Sequence, residues 1–115
     1  MSATLTPNAL TILETRYLLK KDGVIIETPD EMFRRVARAI AKAEPKEIQK
    51  EWEEKFYNLI SSLCFLPNSP LIAGAGRAGA CYSACFVISP EDTMESIMKI
   101  GSDAAMIEKW VGGIG

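Results

Sequence analysis

Thr28-Pro29-Asp30-Glu31-Met32-Phe33-Arg34-Arg35-Val36-Ala37-Arg38-Ala39-Ile40 is the stretch that sets the fold class. Thr28 is suited to an N-cap, and Pro29 to the first helical position, where no amide hydrogen is needed. Glu31 stands three residues after the threonine, the spacing of a capping box. Behind that start, Phe33, Val36, Ala37 and Ile40 recur at the helical period and make one apolar face. Arg34, Arg35, Arg38 and Lys42 occupy much of the remainder. The expectation for them is a solvated helix face; contact with an acidic partner or phosphate is the sharper alternative.

The same signals repeat on either side. Thr6-Pro7 opens an earlier helix carrying Leu10, Leu13, Tyr17 and Leu18, which Lys20-Lys21-Asp22-Gly23 is expected to end. Val24, Ile25 and Ile26 are β-branched and suit a short extended segment. Pro45 is expected to open a third helix with Ile48, Trp52, Phe56, Leu59 and Leu63 as its buried stripe. Cys64, at the apolar end of that stripe, reads as a small buried hydrophobe. Residues 67–82 hold prolines, glycines and alanines with little periodicity, the texture of an irregular, closely packed loop. Residues 83–88 read as a strand stopped by Ser89-Pro90. Asp92 or Thr93 then caps a last helix, with Glu95 in its first turn and Ile97, Ile100, Ala104, Ile107 and Val111 on its apolar face; Gly112-Gly113 breaks it. The fold class predicted is mainly α with one β-strand.

Composition narrows the function. The chain has 115 residues, enough for one domain with a modest core, and a formal net charge of −2, which provides no basic field for a nucleic-acid polymer. No apolar run approaches a membrane span, and Met1-Ser2-Ala3-Thr4-Leu5-Thr6-Pro7 lacks the basic and apolar regions of a leader, so the expected address is the cytoplasm, without membrane partners. There are 3 cysteines and no histidine, too few ligands for a structural zinc. Cys81 and Cys85, if the chain between them is extended, would stand about 13 Å apart, beyond disulfide reach unless a turn intervenes. Gly74-Ala75-Gly76-Arg77-Ala78-Gly79 matches G-x-G-x-x-G, but Pro70 leaves little room for a strand before it, and the chain after it reads as a strand. Close backbone approach and positive φ are the simpler use of these glycines.

Four segments taken together resemble one family: Leu66-Pro67-Asn68-Ser69-Pro70, Ala75-Gly76-Arg77, Ser83-Ala84-Cys85-Phe86-Val87, and Glu91-Asp92-Thr93-Met94-Glu95-Ser96-Ile97. They are similar to the N-terminal region of adenosylcobalamin-dependent (class II) ribonucleotide reductases. Leu5-Thr6-Pro7-Asn8-Ala9-Leu10 and residues 28–33 fit that family's opening as well. The sequence departs from the family's pattern at Leu71, Gly74, Cys81-Tyr82 and Lys109-Trp110-Val111.

The resemblance implies a helical region at residues 1–66 and, at residues 67–115, the start of a catalytic barrel: substrate loop, first strand of an incomplete ten-stranded α/β barrel, and a helix at an effector and dimer interface. Reduction replaces the ribose 2′-hydroxyl with hydrogen. Adenosylcobalamin generates a thiyl radical that takes the 3′ hydrogen, and two further thiols supply the electrons and become a disulfide. By resemblance Cys85 is the first of those two thiols. Ser69 contacts substrate phosphate, while Ala84 and Gly113 approach the nucleotide through their backbones. Asp92, with Thr93 and Met94, meets a deoxynucleotide or ATP effector. A ribonucleotide substrate, the rest of the barrel, a second copy of the chain and a thioredoxin-type reductant are the implied partners. A strand that needs neighbours and a chain that stops in a glycine loop lead to the expectation of a fragment, inactive alone, or of one part of a split enzyme. A helical interaction module using Arg34, Arg35 and Arg38, with no enzymatic descent, is the competing expectation.

Overall fold

The computed structural model describes residues 4–110 and 112–115. Val111, read as part of the last apolar face, and Met1, Ser2 and Ala3 of the opening examined for a leader lie outside the described residues.

The first helix, α1 (Pro7–Ile12), begins as its sequence directs: the Thr6 hydroxyl accepts from the Ala9 amide at 3.2 Å and Pro7 occupies the first turn. It then widens into one π-type turn, Leu13–Tyr17, closed by the Leu18 amide on the Leu13 carbonyl at 2.9 Å. The chain does not stay helical to Gly23. Lys20–Lys21 is a strand, β1, paired antiparallel with β2 (Val24–Ile25). Asp22 and Gly23 make the turn between them at φ +53° and +80°. Positive φ at both central positions is the two-residue hairpin geometry that Asp-Gly favours, and it outweighs the basic-then-glycine pattern of a helix end. The extended segment expected at Val24 and Ile25 is present, and the Ile26 amide prolongs it by donating to the Leu19 carbonyl at 2.9 Å.

Helix α2 (Pro29–Ala41) carries the complete capping box: the Glu31 amide donates to the Thr28 hydroxyl at 3.3 Å, and the Thr28 amide donates to the Glu31 carboxylate at 2.8 Å. Met32, Phe33, Val36, Ala37 and Ala41 are buried. Helix α3 (Gln49–Ser61) starts four residues later than Pro45, which instead forms a turn with Ile48. Its expected stripe is rotated off the core. Ile60 and Ser61 are buried, Trp52 and Phe56 are half-buried, and Ile48, Leu59 and Leu63 are exposed. Polar pairs across the α2–α3 seam fix that rotation: Arg34 with Glu54, Arg38 with Glu53, and the Tyr57 hydroxyl donating to Asp30. The Asp30 carboxylate holds the Tyr57 phenol above its ordinary range, and the Arg34 guanidinium lies 3.6 Å over the same ring. Leu63, at φ +60°, ends the helix and turns the chain outward, so Cys64 is exposed and not the buried hydrophobe expected.

A further helix, α4 (Ser69–Gly74), lies inside the segment expected to be irregular. Asn68 caps it by accepting from the Leu71 amide at 3.0 Å, and Pro70 sits in the first turn, where it is tolerated. The predicted strand is short, β3 (Cys85–Phe86), and it is not alone: it pairs in parallel with β4 (Gly113–Ile114). Among the described residues the fold is thus mainly helical with four short strands in two pairs, where one strand was expected. Between β3 and β4 runs α5 (Met94–Lys109), capped by the Thr93 hydroxyl, which accepts from the Ser96 amide at 3.2 Å. No residue of α5 is buried. The core is Leu18, Met32, Phe33, Val36, Ile60, Ile72 and Ala75, with Leu13, Tyr17 and Tyr57 against it. Each large member contributes roughly 1.5–3 kcal/mol of apolar transfer energy. Among the described residues no helix is long and apolar enough to cross a membrane.

Candidate functional site

The site grows from the junction of β3 and β4. Their register sets Cys85 opposite Gly113 and Phe86 opposite Ile114. The Gly113 amide donates to the Ala84 carbonyl at 2.7 Å, and the Gly115 amide donates to the Phe86 carbonyl at 3.0 Å. Ala84, Cys85 and Gly113, three of the four residues implied to meet substrate, are therefore brought together on one two-strand ribbon. Cys85 is exposed and its thiol is free. Gly112 is required by packing: a Cβ there would stand 2.6 Å from Ile107 Cγ2 and 2.8 Å from Phe86 Cε2.

Ser69, the fourth, is the first residue of α4, on a different element. The link between the two parts is Asn68. Its side-chain amide donates to the Tyr82 carbonyl at 3.1 Å while its oxygen caps α4. The Tyr82 hydroxyl in turn accepts from the Gly76 amide at 3.2 Å. These bonds lay the chain leading into Cys85 alongside the start of α4. Ser69 itself accepts a hydrogen bond at 3.0 Å from Tyr17, which lies 52 residues away at the end of the π-type turn.

The far end of α4 is held by Arg35. Its guanidinium pairs with Glu27 at 2.7 Å and donates to the carbonyls of Ile72 at 3.2 Å and Ala75 at 2.7 Å. Those are orphan acceptors at a helix C-terminus. Glu27 also accepts from the Leu19 amide at 3.1 Å, so one ion pair joins the hairpin, α2 and α4. With side chains 13% and 6% exposed, this pair is not the solvated face expected of the arginines. Arg34 and Arg38 are likewise engaged with glutamates of α3. The contact of Tyr17 with Ser69 and the clamping of α4 by Arg35 were not legible in the sequence, because their partners lie on other elements and no spacing rule connects them.

The glycine-rich stretch follows α4 and precedes β3, the reverse of the strand–glycine–helix order a dinucleotide fold needs. Gly74 ends the helix, and Gly76 turns at φ +79° with Arg35 Cγ 3.3 Å from where a Cβ would stand. The loop opens onto a cleft of about 260 Å³ lined by Pro70, Gly74, Arg77, Cys81 and Trp110, among others. Cys81 donates weakly to the Ser83 carbonyl and is also free. Asp92, Thr93 and Met94 gather at the exposed start of α5: Thr93 is the N-cap, and Met94 is the first helical residue. Among the described residues no group of three His, Cys, Asp or Glu side chains could hold a metal ion.

Comparison with known proteins identifies the family. Residues 3–80 match the family model described as "Ribonucleotide reductase, all-alpha domain". Similar proteins include the "Ribonucleoside-diphosphate reductase subunit alpha" of Chlamydia muridarum, 36% identical over 103 residues, which covers 90% of this chain and 10% of that protein. The "Vitamin B12-dependent ribonucleoside-diphosphate reductase" of Mycobacterium tuberculosis is 36% identical over 111 residues, 93% of this chain and 16% of that protein. The "Ribonucleoside-diphosphate reductase large chain" of Neurospora crassa is 38% identical over 104 residues, 90% of this chain and 11% of that protein. The chain thus spans 10% to 16% of the length of these relatives, and their names include B12-dependent enzymes alongside alpha subunits and large chains. By this match, which takes in α1 through α4, the chain belongs to the ribonucleotide reductase family, through the all-alpha domain of its large subunits.

Proposed function

We propose that this chain is the substrate-side opening segment of a ribonucleotide reductase and that Cys85 is one of two thiols oxidised in each turnover. The observation that carries the reading is the β3–β4 ribbon: an exposed, free thiol lies in register with Gly113, next to the Ala84–Gly113 hydrogen bond. A thiol mounted on paired backbone is held to the narrow range of positions that attack on a bound ribose requires. In the proposed step Cys85 and a second cysteine, outside these 115 residues, give up two electrons and two protons. The 2′ oxygen leaves as water, hydrogen takes its place, and the two sulfurs become a disulfide that an external dithiol reduces.

In this reading Ser69 contacts substrate phosphate, Ala84 and Gly113 line the nucleotide with backbone, and Asp92, Thr93 and Met94 meet a deoxynucleotide or ATP effector. The exposed apolar residues of α5, among them Met94 and Met98, support a homodimer interface there. Residues 1–66 form the helical region and residues 67–115 the start of the barrel. The B12-dependent name of one relative supports adenosylcobalamin as the radical source of the complete enzyme. The chain carries no recognisable cobalamin-binding element, and in this reading the residues that would hold the cofactor belong to the rest of the barrel. Against the reading as a non-enzymatic module stands the enclosure of Arg35 with Glu27, while Arg34 and Arg38 form surface pairs with Glu54 and Glu53.

The test is Cys85→Ser in the complete reductase. Steady-state production of deoxynucleotide should fall by at least about a hundredfold, with substrate affinity within roughly twofold, since the thiol acts in the chemical step. Full turnover by the variant would defeat the assignment. Assays with and without adenosylcobalamin decide the cofactor.

A further inference from the structure

We propose that Tyr17 is a positioning residue for Ser69, directing the serine hydroxyl at the phosphate of the substrate. The inference rests on the reading of Ser69 given above and adds a residue to it. Ser69 is exposed, and its local backbone leaves it without a donor. Pro70 has no amide hydrogen, the Leu71 amide is taken by Asn68 Oδ1, and the Ile72 amide is taken by the Asn68 carbonyl. An exposed serine in that position would ordinarily rotate freely among solvent partners.

Tyr17 removes that freedom. Its hydroxyl donates to Ser69 Oγ at 3.0 Å across 52 residues of sequence. A phenol is a stronger donor than an aliphatic alcohol, so the serine oxygen accepts and its own proton is turned away, free to donate to an anionic oxygen. The tyrosine ring is fixed for the purpose, because it packs half-buried against the core cluster of Leu18, Met32 and Phe33. The π-type turn at Leu13–Tyr17 supplies the extra residue that places the ring there, and such turns are enriched at functional positions. Neither hydroxyl is buried, so folding does not demand the bond, whereas orienting a phosphate contact does.

The experiment compares Tyr17→Phe, Ser69→Ala and the double variant in the complete reductase, with a ribonucleoside diphosphate as substrate. Tyr17→Phe should raise KM about fivefold with kcat within about twofold, because the contact lies away from the reacting carbon. Ser69→Ala should raise KM at least as much, and adding Tyr17→Phe to it should change nothing further. With the corresponding nucleoside, which has no phosphate, Tyr17→Phe should have no effect. If Ser69→Ala raises KM and Tyr17→Phe does not, the positioning role is lost while the reading of Ser69 stands. If Ser69→Ala leaves KM unchanged, that reading falls and the inference with it. Additive losses in the double variant, or an equal loss with the nucleoside, would mean Tyr17 acts on the fold alone and would overturn the proposal.

Discussion

Glu31 shows how much one residue can carry when its sequence signal is complete. Its carboxylate accepts from the Thr28 amide and from the Thr28 hydroxyl, and the backbone bond is the larger cause holding its pKa below the ordinary value of 4.5. A carboxyl group whose folded pKa is depressed stabilises the fold above its unfolded value and loses that contribution as pH falls through the folded one. The thermal midpoint of the chain should therefore drop on acidification below about 4.5. Glu31→Gln should remove that part of the dependence and leave the neutral-pH fold intact, as read by circular dichroism melts across the acid range. Parallel curves for the two proteins would mean that the capping box contributes nothing electrostatic. Thr28, Pro29 and Glu31 were legible because both halves of the motif are local. Cys64 was misread for the opposite reason: its exposure follows from the positive φ of Leu63, which no side-chain pattern announces.

Among the elements, α2 separates what periodicity reveals from what it hides. Its apolar face was legible in Phe33, Val36 and Ala37. Its basic residues were not, because an arginine at a polar position reads the same whether it faces water or a glutamate on another element. Arg38 is 62% exposed opposite Glu53, while Arg35 is enclosed with Glu27 and donates to the last carbonyls of α4. Two arginines three residues apart should therefore respond very differently to removal. Arg35→Ala leaves a buried carboxylate uncompensated and should cost about 3–5 kcal/mol. Arg38→Ala breaks a surface pair and should cost at most about 1 kcal/mol. Urea denaturation of the two variants measures the difference, and equal losses would show that Arg35 is no clamp. The register of α3 was hidden in the same way: Ile48, Trp52, Phe56, Leu59 and Leu63 keep helical spacing, yet the pairs to Glu53, Glu54 and Tyr57 decide which side meets α2. Helix α4 was concealed by Pro70, whose position in the first turn allows a helix that its presence in a glycine-rich stretch seemed to forbid.

At the scale of the whole molecule, the chain is elongated. Its radius of gyration is 17.4 Å, with extents of 55 × 36 × 27 Å, against roughly 13 Å for a compact chain near this size. The core lies between Leu18 and Ala75, and α5 with the β3–β4 ribbon stands apart from it, with no buried residue on the helix. The need of β3 for a hydrogen-bonding neighbour was legible in the sequence; that Gly113 and Ile114 supply it was not, since glycines have no strand propensity to read. A helix that buries none of its side chains fully is marginal in water at this length. Amide hydrogen exchange on the 115-residue chain should consequently be fast along α5 and slow in α2 and in the second half of α3, where Ile60 is packed. The side chains left open on α5, Met94 and Met98 at 69% exposure and Met106 at 53%, should gain protection only when a second apolar surface covers them. Raising the chain concentration is then a direct probe: slower exchange confined to α5 would identify that surface as another copy, while exchange along α5 as slow as in α2 at every dilution would contradict the separation of the two regions.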